Sequence, residues 1–104
     1  MKETGNLIVD LTYEFSLNIL EYTDTLEQAK KFAVANQLTK SGTSIGANVR
    51  EAQGSESQND FVHKLKISEK EMFETDYWLS LCRDSKVLRK ILGTCYGKGY
   101  GTRR

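Results

Sequence analysis

Apolar residues between Leu7 and Tyr22 fall at Ile8, Leu11, Phe15, Ile19 and Tyr22. Steps of three, four, four and three place them on one face of a helix. Thr23-Asp24-Thr25 interrupts the pattern. Thr25 with Gln28 three residues on is a capping-box pair, which predicts a second helix from about Leu26 to about Ala52. That helix carries two adjacent seams. One is apolar: Leu38, Gly42, Ile45, Val49 and Ala52. The other is small and polar: Val34, Gln37, Ser41, Ser44, Asn48 and Glu51. A mid-helix Gly costs about 1 kcal/mol relative to Ala, so Gly42 and Gly46 are expected to be held helical by a closely packed neighbour. Gln37, Ser44, Asn48 and Glu51 are expected to hydrogen-bond across that contact, with Glu74 on the next helix, because buried polar groups need partners.

Gln53-Gly54-Ser55 ends the second helix, and Ser55 or Ser57 can cap a third from about Gln58 to about Arg83. Its seam is Phe61, Leu65, Ser68, Met72, Thr75, Leu79 and Cys82. The strict alternation of four and three suits bundle packing. Val62, Phe73, Tyr77, Trp78 and Leu81 lie outside the seam. That is more apolar surface than one intramolecular face uses, which predicts a second contact with another subunit. Val87, Leu88, Ile91 and Leu92 predict a short fourth helix. From Gly93 onward, GTCYGKGYGTRR reads as a flexible basic tail. The pattern is therefore all-α: a helical domain over residues 1–92 and a Gly-rich C-terminal tail over 93–104.

A chain of 104 residues can bury one modest core, and small helical proteins often gain stability by assembling. Met1-Lys2-Glu3 is not followed by a continuous apolar run, so no signal peptide is expected. No stretch reaches the roughly 18 apolar residues of a membrane span, so no membrane partner is expected. Cys82 and Cys95 lack a CxxC spacing and are expected to be reduced thiols of a cytoplasmic protein. The net charge of +1 hides an asymmetry. Residues 1–58 carry five basic and eight acidic side chains, and residues 59–104 carry ten and six. Residues 83–104 hold seven basic side chains against Asp84 alone.

Most catalytic readings fail on their residue sets. His63, three residues after Asp60, has the spacing of one half of a carboxylate-bridged di-metal motif, but that site needs the motif twice and the chain has one His. Ser41 to Asn48 is glycine- and hydroxyl-rich yet lacks the Gly-Lys-Ser/Thr ending of a phosphate loop. Gly42-x-x-x-Gly46 is a membrane dimer motif only in apolar flanks, which are absent. Cys82 belongs to a core seam, and Cys95 has no His near it in sequence. Glu51 and Glu74 can meet across the second and third helices, and a hydrogen-bonded structural network explains them more simply than acid-base work. No catalytic residue, metal or cofactor is expected. Arg83, Lys86, Arg89, Lys90, Lys98, Arg103 and Arg104, interleaved with Tyr96 and Tyr100, can track a phosphate backbone and stack on bases; the plain alternative is a solvated end.

At Gln37-Leu38, the Ser41–Ala52 segment SGTSIGANVREA, Ser57, Phe61, Ile67-Ser68, Glu74 and Leu79 the chain resembles the four-helix-bundle family of 23S rRNA intervening-sequence proteins. It is also similar to the accessory variability determinant of diversity-generating retroelements. The resemblance implies an up-down antiparallel bundle that assembles into a ring-like homo-oligomer, a pentamer, in bacteria. It implies no enzymatic activity. The retroelement branch further implies binding to RNA or DNA and a reverse transcriptase partner. Two departures stand out: the fourth helix is shortened toward a Gly-rich end, and the first two helices are acid-rich where the retroelement branch is basic. The expected function is a nucleic-acid-associated bundle protein, with a protein-interaction scaffold that binds no nucleic acid as the alternative.

Overall fold

A computed structural model of the chain describes residues 4–96. The Asn6 side chain accepts the Val9 N–H at 3.4 Å and opens α1, Leu7–Gln28, so one of the helix's orphan donors is satisfied. α1 does not break at Thr23-Asp24-Thr25. The Thr23 hydroxyl bonds back to Leu20 O at 3.3 Å, and Gln28 Nε2 donates to Asp24 at 2.7 Å along the helix. The expected Thr25–Gln28 cap therefore does not start α2. The helix stops one turn later: Lys30 N–H bonds Glu27 O and Lys31 N–H bonds Leu26 O, both at 2.9 Å, with Lys30 at φ 64°. This is a Schellman stop with lysine where glycine is usual.

α2, Phe32–Ala52, returns antiparallel to α1. Its apolar seam is buried throughout: Leu38, Gly42, Ile45, Val49 and Ala52. The glycines are where α1 comes closest. A methyl at Gly42 would lie 2.9 Å from Ile19 Cγ1 and Cγ2, and one at Gly46 would lie 3.0 Å from the Thr12 carbonyl oxygen. Thr39 donates to Thr23 across the same contact at 3.0 Å.

Ser57 accepts the Asp60 N–H at 3.0 Å and caps α3, Gln58–Asp84, which runs antiparallel to α2. Ser68 donates to Ile45 O at 2.9 Å, and Thr75 meets Ser41 at 3.0 Å. Both α3 hydroxyls hold core positions of the predicted seam and are buried. Ser85 is the whole connection to α4, Lys86–Tyr96, and its hydroxyl accepts the Leu88 N–H at 3.2 Å. α4 passes through Gly93, where a tail was expected to begin, and ends three residues later at Tyr96. Leu88 and Leu92 are buried and anchor it, while Gly93 faces outward, where a missing side chain costs only helix propensity.

The order is up-down-up-down. α2 lies between α1 and α3, and among the described residues no Cα of α1 comes within 8 Å of α3. α4 packs against both α1 and α3. One core results: Ile19, Leu26, Ala35, Leu38, Cys82, Leu88 and Leu92. It sits at the end where α1 stops and α4 starts. At about 1.5 Å per residue, α4 spans about 16 Å and α3 about 40 Å. Among the described residues, therefore, no fourth helix covers the far half of the slot between α1 and α3. Ile8 and Leu11, expected on the buried face of α1, are 51% and 58% exposed there, and Val9 is buried against α2 instead. No described helix is long and apolar enough to cross a membrane.

Candidate nucleic-acid interface

α4 buries Leu88 and Leu92, which turns Lys86, Arg89 and Lys90 outward. Spaced i, i+3 and i+4, the three cations share one exposed face, and none of them makes an ion pair among the described residues. Arg83, in the last turn of α3, is differently placed. Its Nε and Nη2 donate to the two Asp84 carboxylate oxygens at 2.8 and 3.1 Å, which neutralises the fork most suited to a phosphate. Lys98, Arg103 and Arg104 lie outside the described residues.

The topology adds two cations that the sequence did not assign to this surface. The α1–α2 turn carries Lys30 and Lys31, and antiparallel packing brings it to the same end of the bundle as Ser85 and the start of α4. The only local signal is a Lys-Lys pair more than fifty residues from the C-terminal cluster. Its relevance depends on the fold. Asp24 and Glu27, late in α1, and Asp84, the last residue of α3, place carboxylates at the same end.

The predicted polar seam is divided. Ser41 is buried and paired with Thr75 on α3. Gln37 and Glu51 are exposed, so they do not join a buried network. Ser44 donates to Lys40 O at 2.6 Å and Asn48 to Ser44 O at 2.8 Å, both within α2. Short polar side chains can take carbonyls of their own helix in this way, without needing a neighbour. Glu51 and Glu74 are not brought together. Glu51 accepts from Lys64 at 2.8 Å, nearly three turns before Glu74 on α3. Glu74 is exposed and accepts from Trp78 Nε1 at 3.5 Å.

Cys82 is fully buried, and burial pushes its thiol up to about 11 against a smaller lowering by the Tyr22 hydrogen bond. This is the behaviour of a core residue, since a nucleophile needs accessible thiolate. Among the described residues no group of three or more His, Cys, Asp or Glu side chains is arranged to hold a metal ion.

Comparison with known proteins agrees with this architecture. A family model described as 23S rRNA-intervening sequence protein matches residues 6–94. The chain is similar to the crystal structure of a protein of unknown function from the S23 ribosomal protein family of Bacteroides thetaiotaomicron VPI-5482. The two share 38% identity and a TM-score of 0.75, over 84% of this chain and 82% of that one. No curated protein matches the chain.

Proposed function

The chain belongs to the family of 23S rRNA-intervening sequence proteins, and from that membership we propose that it is a non-enzymatic, RNA-associated bundle protein that works in the cytoplasm as a ring-like homo-oligomer. The observation that carries the RNA reading is the outward face of α4, where Lys86, Arg89 and Lys90 stand exposed and, among the described residues, without carboxylate partners. Lys30 and Lys31, on the α1–α2 turn, add two cations at the same end of the bundle. One such patch offers few phosphate contacts, and a ring of patches multiplies them without any new contact type.

The test is light-scattering mass with and without a structured RNA, at low and moderate salt. A multi-subunit particle should take up RNA with an affinity falling steeply as salt rises, by a log-log slope of about 0.7–0.9 per phosphate neutralised. The Arg89→Glu/Lys90→Glu variant should lose most of that binding and keep its mass. Unchanged RNA binding by this variant would sink the assignment of the site.

A second reading is a protein-interaction scaffold without nucleic acid. It is favoured by the apolar surface that the bundle leaves open: Phe73 is 65%, Tyr77 58% and Met72 49% exposed on α3. Exposed patches of this kind mark interaction surfaces. A particle that ignores RNA at every salt concentration would select it.

A further inference from the structure

We propose that a second copy of this chain docks edge to edge, the outward stripe of α1 on one copy lying along the outward stripe of α3 on the next. The inference rests on the homo-oligomer reading and supplies its interface. α2 lies between α1 and α3, so these two helices form opposite flanks of the bundle. On α1 the stripe turned away from the core is Asp10, Glu14, Leu17 and Glu21. On α3 it is Lys66, Lys70, Phe73 and Tyr77, all exposed. Each stripe advances by four, three and four residues, the spacing of one helix face. The two are opposite in charge, and α1 contains no Lys, Arg or His at all. Glu14, Glu21, Lys66 and Lys70 make no ion pair among the described residues. Leu17, Phe73 and Tyr77 are 41%, 65% and 58% exposed. Glu69, Glu74 and Asp76 flank the α3 stripe without interrupting it.

Contacts through α2 fix the heights of the two stripes. Gly46 lies against the Thr12 carbonyl, and Ser68 donates to the carbonyl of neighbouring Ile45, so Thr12 and Ser68 stand at one level. Gly42 lies against Ile19, and Thr75 meets neighbouring Ser41, so Ile19 and Thr75 stand at the next. α1 and α3 run in the same direction. A rotation about an axis parallel to the bundle therefore sets α1 of one copy beside α3 of the next without a change of height. In that register Asp10 faces Lys66, Glu14 faces Lys70, Leu17 faces Phe73 and Glu21 faces the Tyr77 hydroxyl. An inverted copy would set Glu14 against Phe73 and Leu17 against Lys70. Pairing α1 with α1, or α3 with α3, would oppose like charges, which is costly at an interface. The contact is thus heterologous, and repeating it closes a ring.

The test is light-scattering mass of the full chain and of two variants, Glu14→Lys/Leu17→Lys and Lys70→Glu/Phe73→Glu. All four positions are exposed, and circular dichroism of each variant checks that it is folded. Asp10 is left alone because it also accepts from Thr4. At a concentration where the wild type is multi-subunit, each variant by itself should fall to the mass of a single chain. An equimolar mixture should regain a multi-subunit mass, because the two altered faces then meet each other and the two native faces meet each other. That rescue also excludes misfolding as the cause of the losses. A variant that keeps the wild-type mass would overturn the proposal and leave the homo-oligomer standing. Folded single chains that stay single in the mixture would overturn the α1–α3 pairing. Lys70→Glu/Phe73→Glu losing RNA binding at unchanged mass would give the α3 stripe to RNA instead. A wild type that is a single chain at every concentration would remove the homo-oligomer reading, and this interface with it.

Discussion

Ser41 and Thr75 place their hydroxyl oxygens 3.0 Å apart across the α2–α3 contact, at 1% and 2% exposure. Thr75 also reaches Glu71 O at 2.8 Å, so one proton can serve its own helix while the other joins the pair. Thr75→Val keeps the shape and removes that oxygen. It should cost about 1–2 kcal/mol in urea unfolding. Ser41→Ala should cost less, because Thr75 keeps its bond to Glu71 O, and the double variant should cost less than the sum, because the two changes remove the same shared bond. Strict additivity would mean that the two groups are energetically independent.

Three helical glycines should respond to alanine with different signs. Gly46→Ala forces a methyl against the Thr12 carbonyl at 3.0 Å, and backbone does not yield easily. Gly42→Ala presses on Ile19 at 2.9 Å, near its branch point rather than at a flexible tip. Each should destabilise by about 1–3 kcal/mol, overpacking outweighing the helix propensity gained. Gly93→Ala meets nothing within 4 Å and should stabilise α4 by about 0.5–1 kcal/mol. Thermal melts of the three variants check the order.

These contacts show how far the residues alone carry the fold. Periodicity located the α2 seam because Leu38, Gly42, Ile45, Val49 and Ala52 all face one direction, and it placed Ser68 and Thr75 in the core before any partner was known. It missed the α1–α2 boundary because Thr23 hides its hydroxyl in a back-bond and the true stop uses Lys30 in place of a glycine. It put Ile8 and Leu11 inside because amphipathicity says which face is apolar, not whether a neighbour is long enough to cover it. It gave Gln37 and Glu51 a buried role because composition does not distinguish a seam from its rim. Lys30 and Lys31 join the basic end only through topology.

Glu51 was expected to be a buried network member and is instead half of a surface pair. Lys64 and Glu51 have side chains 37% and 59% exposed. Such pairs contribute about 0–1 kcal/mol and are screened by salt. Glu51→Ala should therefore change stability by less than about 1 kcal/mol at low salt, and by nothing measurable at high salt. Loss of several kcal/mol would restore a buried role for Glu51.

Cys82 gives the bundle a pH limit on the alkaline side. Its folded thiol is raised to about 11 from an ordinary value of 9.0. The folded state therefore holds a proton that the unfolded state releases first. The contribution is complete below pH 9, falls as the unfolded thiol ionises, and is gone above about pH 11. In a Cys95→Ser background, Cys82 should react with a thiol reagent only as fast as the bundle opens, and Cys82→Ala should flatten the loss of stability across this window. Rapid labelling of the folded Cys95→Ser protein would show that the thiol is accessible.

Lys30 closes α1 and, in the proposed RNA reading, also supplies a cation, and a single substitution can separate the two. Its φ of 64° is the left-handed region, where a side chain costs about 1–2 kcal/mol and glycine is at ease. Lys30→Gly should raise stability by about 0.5–1 kcal/mol in urea unfolding, after allowance for the greater freedom of glycine in the unfolded chain. The same change removes a cation from the end of the bundle that carries Lys86, Arg89 and Lys90. RNA affinity should fall, and the salt dependence should lose about one unit of log-log slope for the phosphate contact removed. Lys31→Gln is the comparison. Lys31 starts α2 without a side-chain capping bond, so its loss should weaken RNA binding in the same way and leave stability unchanged. If both variants bind RNA as the wild type does, the turn is not part of the interface. A lone gain of stability in Lys30→Gly would then mean that lysine there only caps the helix.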